Sequence, residues 1–244
     1  MSVDVTDLRA FYASALGSVA RRLVQRAIGQ FWGEMGGLSL LGLGYAAPYM
    51  TALDGSERRL AFMPAAQGVV NWPDRGLSAS ALVDPLMMPL EDSSLDRVLL
   101  VHALEIVESP SELLHEVWRI LKPGGRLILV CPNRRGLWAR MDTTPFGQGQ
   151  PFSRSQVRKL MRQAQLAPES WAEILYVPPL GNRLLLSSAI AWERLGVGLS
   201  LPFAGLHVVE ATKLLHRPIP VRERRRARRF SPALVPATAS PRLL

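Results

Sequence analysis

An α/β protein with a mostly parallel sheet is the fold class this chain predicts. Apolar runs of strand length recur along it, at residues 38–46, 60–63, 81–83, 97–101 and 126–131. Between the last two lies a segment, 109–121, with helix signals at both ends. Strand, connection, strand, helix, strand at this spacing is the pattern of a parallel sheet with a crossover helix. Length and composition agree: 244 residues with 48% hydrophobic and 20% charged side chains suffice for a single large core.

The first 30 residues predict helix. Leu8, Phe11, Tyr12, Ala15, Leu16, Val19, Leu23 and Ile28 recur near a 3.6-residue period, with Arg9, Arg21, Arg22 and Arg26 between them. Glycines at 33, 36 and 37 break that pattern. The run 38–46 then closes on Gly42 and Gly44, where glycines let backbone approach a ligand at a strand's carboxyl end. A second strand stops at Pro64, a third at Asp84 and Pro85, and a fourth covers 97–101. Ser109 and Pro110 supply a cap and a first-turn proline, and Glu112 faces the helix dipole. Leu113, Leu114, Val117, Ile120 and Leu121 form an apolar stripe that ends at Lys122-Pro-Gly-Gly. Residues 143–152 have the glycine and proline content of a lid. Further on, 153–164 predicts a helix, 171–177 a strand, 184–195 a helix and 206–214 a last strand. The organisation is an N-terminal helical segment (1–34), an α/β domain (35–216) and an arginine-rich tail (217–244) predicted to be disordered.

Several function classes are excluded at this level. Cys131 is the only cysteine, which argues against a disulfide scaffold and a paired-cysteine zinc site, and for a reducing compartment. His102, His115, His207 and His216 show no ligand spacing, so no metal is expected. The uncharged stretch 35–53 approaches bilayer length, but four glycines and Pro48 make it a strand and turn. No secretory pattern opens the chain, and a cytoplasmic location is expected. Of the net charge of +9, +7 lies in the tail, which holds eight arginines against one acid, Glu223, and the body is close to neutral. No specific nucleic-acid partner is expected, although such a tail has the chemistry for weak contact with anionic membrane or RNA.

Two segments carry a resemblance. Asp84-Pro-Leu-Met-Met-Pro-Leu-Glu-Asp-Ser-Ser-Leu-Asp-Arg-Val resembles a stretch of the class I S-adenosylmethionine-dependent methyltransferases. Glu112-Leu-Leu-His-Glu-Val-Trp-Arg-Ile-Leu-Lys-Pro-Gly-Gly resembles the segment that follows it in that family. With the glycine turn, the resemblance spans about residues 36–177, and the nearest subgroup is the small-molecule, type 11 kind. It implies a Rossmann-like methyltransferase fold, a seven-stranded, mostly parallel sheet with helices on both faces. It also implies S-adenosylmethionine as cofactor and a small-molecule methyl acceptor. Carried over by position, Gly42, Gly44 and Tyr45 would cradle the methionine moiety, and Asp84 would accept from the adenine amine. His102 would lie beside the cofactor as candidate catalytic base. Trp72, Glu105, Asn133, Arg134 and Trp138 are the candidate substrate residues. Two usual carboxylates are replaced, by Leu40 before the glycine turn and by Met63 at the end of the second strand. A catalytically inactive, methyltransferase-like binding module is the alternative these replacements raise.

Overall fold

The computed structural model describes residues 4–53, 55–199 and 201–215. The predicted tail at 217–244 lies outside the described residues. Two helices open the chain, α1 (Val5–Ala13) and α2 (Ala15–Phe31), where the periodicity predicts one. The break is at Ser14, which is extended: its hydroxyl donates to Phe11 O and accepts from Gly17 N, capping α2. Gly17 lets the helices cross, since a Cβ there would lie 1.9 Å from Phe11 O.

The strands are β1 (Ser39–Gly44), β2 (Arg58–Pro64), β3 (Ser80–Val83), β4 (Leu95–Val101), β5 (Leu121–Pro132), β6 (Leu166–Ile174) and β7 (Leu206–Lys213). The helices between them are α3 (Ala47–Met50), α4 (Pro110–Ile120), α5 (Arg154–Gln163), α6 (Arg183–Ser187) and α7 (Ala189–Gly198). One sheet of order β3-β2-β1-β4-β5-β7-β6 results, parallel except where β7 runs against β5 and β6. This is the seven-stranded, mostly parallel sheet that the resemblance implies.

Side-chain alternation along the strands splits the core in two. Leu40, Ala61, Leu99 and Ile128 face α1 and α2, where Leu8, Val24 and Ile28 are buried. Leu41, Val98, Leu100 and Leu129 face α4 and α5, where Leu113, Val117 and Val157 are buried. The N-terminal helices are thus part of the sheet's own core.

Three boundaries differ from expectation. Helix α4 stops at Ile120, and Lys122 to Gly125 belong to the first half of β5 instead of to a loop. The sheet register tightens only from Arg126, after an irregularity between Leu95 and Arg97 on β4. The predicted helix over 184–195 is two helices, α6 and α7. β6 begins at Leu166 and ends at Ile174, earlier than the apolar run suggests.

The two segments that carry the resemblance are one structural unit. Arg119 donates to Leu90 O, Met88 O and Asp92, and it pairs with Glu116, whose Oε1 accepts from Met88 N. Lys122 reaches Asp96, which also accepts from the Ser39 amide and hydroxyl. Partial burial raises the Asp96 pKa, but the Lys122 and Ser39 hydrogen bonds outweigh it and hold the carboxyl below its ordinary value.

Candidate functional site

The glycine turn forms as expected. Gly44 ends β1 at φ +81°, a conformation glycine adopts freely, and a Cβ there would lie 2.2 Å from Val101 O. A Cβ on Gly42 would meet Met50 Sδ at 2.2 Å, so that glycine lets α3 pack on the strand. Tyr45 follows, its amide donating to Val101 O and its ring stacked on Tyr12 at 5.5 Å. Leu40 and Met63, which stand where the family carries acids, are fully buried.

At the end of β4, His102 has φ 52°, a strained backbone of the kind that clusters at functional sites. It is buried, and both ring nitrogens have partners: Nε2 meets the Tyr12 hydroxyl at 2.8 Å, and Nδ1 meets Glu105 at 3.1 Å. The Glu105 carboxylate can only accept, so Nδ1 carries the proton and Tyr12 donates to Nε2. Tyr49 in turn donates to Tyr12 at 2.7 Å. The result is a continuous chain, Tyr49–Tyr12–His102–Glu105. Burial first, and then Tyr49, push the Tyr12 phenol well above its ordinary pKa. Two buried acceptors flank this chain without a partner among the described residues, Glu105 Oε2 and Gln67 Oε1. Gln67 crosses from beyond β2 to donate to His102 O at 3.1 Å.

A cavity of about 1030 Å³ adjoins the chain. Tyr12, Tyr45 and Trp72 form part of its wall, and Arg9, Arg21, Arg59 and Arg75 also line it, with Asp74 the one acid among the described residues. Trp72 is buried beneath the Arg59 guanidinium, 5.5 Å from the ring. Burial raises the Tyr45 pKa, opposed by the Arg9 charge and aided by Asp74.

The predicted site residues separate. Tyr45 and Trp72 line the cavity. Asp84 is exposed at the end of β3, where its carboxylate accepts from Leu86 N at 2.9 Å in a local turn. Glu105 serves His102. Asn133 is buried and donates to Ala204 O. Arg134 is exposed, its side chain donating to Pro151 O. Trp138, expected to touch substrate, is fully buried against Phe146 and donates to Val177 O. It is a packing residue. Residues 143–152, expected as a lid, are docked: Phe146 is buried on the His102 ring at 4.6 Å, and Gln150 N donates to Glu105 O.

Sequence reasoning missed Arg9, Tyr12, Arg21, Gln67 and Asp74. Tyr12 looks like one more apolar position of an amphipathic helix, and the arginines like its solvated face. Only the fold of the N-terminal helices over the sheet brings them to the strand ends.

Residues 35–129 match the family model described as methyltransferase domain. This stretch of the chain is therefore a methyltransferase domain. The match runs from the segment before β1 into β5 and contains the glycine turn, Asp84 and His102. A Thermotoga maritima S-adenosylmethionine-dependent methyltransferase is 18% identical, with a TM-score of 0.60 over 86% of this chain and 96% of that one. The methyltransferase in the Haloferax volcanii complex with the Trm112 methyltransferase activator is also 18% identical, at a TM-score of 0.60 over 87% and 99%. Geranyl diphosphate C-methyltransferase from Streptomyces coelicolor is 15% identical, at 0.53 over 78% and 79%. At these identities the likeness is one of fold. No curated protein matches the chain.

The family's cofactor is S-adenosylmethionine, and the residues present fit it. The cofactor carries an ammonium and a sulfonium, and the two partnerless buried acceptors beside His102 call for a cationic or donating group. Asp84 stands exposed at the strand end, and Tyr45 lines the adjoining cavity. No described helix is long and apolar enough to cross a membrane.

Proposed function

We propose that this methyltransferase transfers the methyl group to a small-molecule acceptor seated in the cavity beside Tyr45. The observation that supports this reading is the convergence of the family-matched strand ends on a turn, Gly44 and Tyr45, that adjoins a cavity of about 1030 Å³. That volume is at the upper end of the range for small-molecule sites.

S-adenosylmethionine, when bound, supplies a methyl group on a sulfonium, an excellent leaving group, so alignment provides most of the catalysis. Asp84 would hold the adenine amine, the Gly44 turn would hold the methionine end, and Glu105 Oε2 with Gln67 Oε1 would accept from its ammonium. The Tyr49–Tyr12–His102–Glu105 chain positions the cavity wall. Tyr12 stays protonated there because burial and Tyr49 disfavour the phenolate. His102 acts through Tyr12 and holds the wall in register.

Calorimetric titration with S-adenosylhomocysteine tests the reading. Asp84→Ala should weaken binding about 10- to 100-fold, the equivalent of a hydrogen bond to a charged group at about 1.5–3 kcal/mol. Its melting temperature should change little, because Asp84 is exposed. A variant that melts lower but binds like the wild type would remove Asp84 from the site. Absence of heat with the wild-type protein at millimolar ligand would favour the inactive binding module.

A further inference from the structure

We infer that the cavity selects an acceptor with a planar aromatic ring bearing a phosphate or carboxylate, the ring against Trp72 and Tyr45 and the anion at the arginine rim. This substrate class rests on the methyl-transfer reading above; the anion site itself does not.

Charge carries the argument. Arg9 from α1, Arg21 from α2, Arg59 from β2 and Arg75 from the β2–β3 loop line one cavity, against the carboxylate of Asp74 among the described residues. Arg9, Arg21 and Arg75 are exposed, and among the described residues no ion pair engages them. Three exposed guanidiniums converging on one opening raise its positive potential and favour an anion there. Their planar forks match phosphate or carboxylate oxygens. The cofactor also carries one carboxylate, so S-adenosylhomocysteine binding by the arginine variants below is what separates an acceptor at this rim from the cofactor. The cofactor's fitting groups are the acceptors beside His102, on the inner side of Tyr12.

The wall chemistry supplies the ring. Trp72 and Tyr45 are both buried except where they meet the cavity, and Tyr45 is backed by the parallel ring of Tyr12. The small part of each ring that reaches the cavity favours edge-to-face contact with a planar aromatic partner. Arg59, held over Trp72 at 5.5 Å, ties the charged rim to the aromatic floor.

Titrating the full chain with 1-naphthyl phosphate, 1-naphthoate, 1-naphthol and inorganic phosphate tests this. The ring-bearing anions should bind at least about tenfold tighter than either naphthol or inorganic phosphate, with affinity falling as salt rises. The order of naphthyl phosphate and naphthoate identifies the anion. The double variant Arg9→Gln/Arg75→Gln should lose about tenfold or more for both anions, melt like the wild type and bind S-adenosylhomocysteine unchanged. Trp72→Leu should weaken naphthol and naphthyl phosphate alike. Equal binding of naphthol and naphthyl phosphate, or an unaltered double variant, overturns the inference and leaves the methyltransferase reading in place. Retained anion binding without any S-adenosylhomocysteine binding removes the acceptor assignment and leaves the anion site.

Discussion

Two polar assemblies meet at Tyr12 and obey opposite rules. Inside, Tyr49, Tyr12, His102 and Glu105 are buried, each hydrogen-bonded to the next. Outside, Arg9, Arg21 and Arg75 stand in solvent around the cavity without ion pairs among the described residues. Buried polar groups must be satisfied by the protein itself, so the inner chain is specified by the fold and contributes to stability. Exposed arginines cost little to leave unpaired, so the rim is free to serve a ligand. The same sheet edge therefore separates residues that hold the site's shape from residues that read what enters it.

The comparison breaks if an inner residue proves dispensable for stability. Trp138→Ala should produce the largest effect, about 3–5 kcal/mol of destabilisation, because it empties a fully buried site beside Phe146. Chemical denaturation measures it; a near-neutral result would return Trp138 to the list of substrate residues.

Tyr12→Phe removes one oxygen and leaves both His102 Nε2 and the Tyr49 hydroxyl without their partner. A loss of about 2–3 kcal/mol is expected, the penalty of burying polar groups unpaired. Tyr49→Phe in the same background should restore part of it, since one orphaned group is then gone. Additive losses in this double-mutant cycle would show that the chain is not coupled.

His207 sharpens the comparison, because it is a buried histidine with a less complete environment than His102. Its Nε2 has no partner among the described residues, while Nδ1 lies 3.4 Å from Trp171 Nε1 and 3.5 Å from Glu173. Burial, and then the nearby Arg154 charge, lower its pKa from 6.5 to about 4. Above pH 6.5 the site is neutral in both native and unfolded chains. As pH falls toward 4, the unfolded chain takes up a proton that the native state refuses, and stability drops. The wild type should lose about 2 kcal/mol between pH 7 and about pH 5 through this group. His207→Gln should show a flatter profile over that window. Identical profiles would place the proton elsewhere.

Much of the fold was legible in the sequence because it rests on local patterns. β1 to β5 appear as apolar runs, all but β4 closed by glycine or proline, and the two segments around Asp84 and Glu112 carry a family resemblance that the domain match bears out. Ser14 escaped notice because its neighbours keep the helical period on both sides, and only the turned hydroxyl ends α1. The site was less legible. A motif places Asp84, but it cannot say that Trp138 points into the core or that residues 143–152 dock on His102, since both depend on chain segments far away in sequence.

By itself, the sequence determined the α/β class, the crossover helix α4 and the glycine turn, all consequences of spacing between near neighbours, and two segments carried the methyltransferase resemblance. Tertiary structure alone decided which polar residues share a space. Tyr12 meets His102 across ninety positions, and Arg9, Arg21, Arg59 and Arg75 meet around one cavity only because α1, α2 and the β2–β3 loop close over the strand ends. The physical reason is that a helix's periodicity encodes which face is buried, whereas the partner of each face is chosen by packing of the whole core.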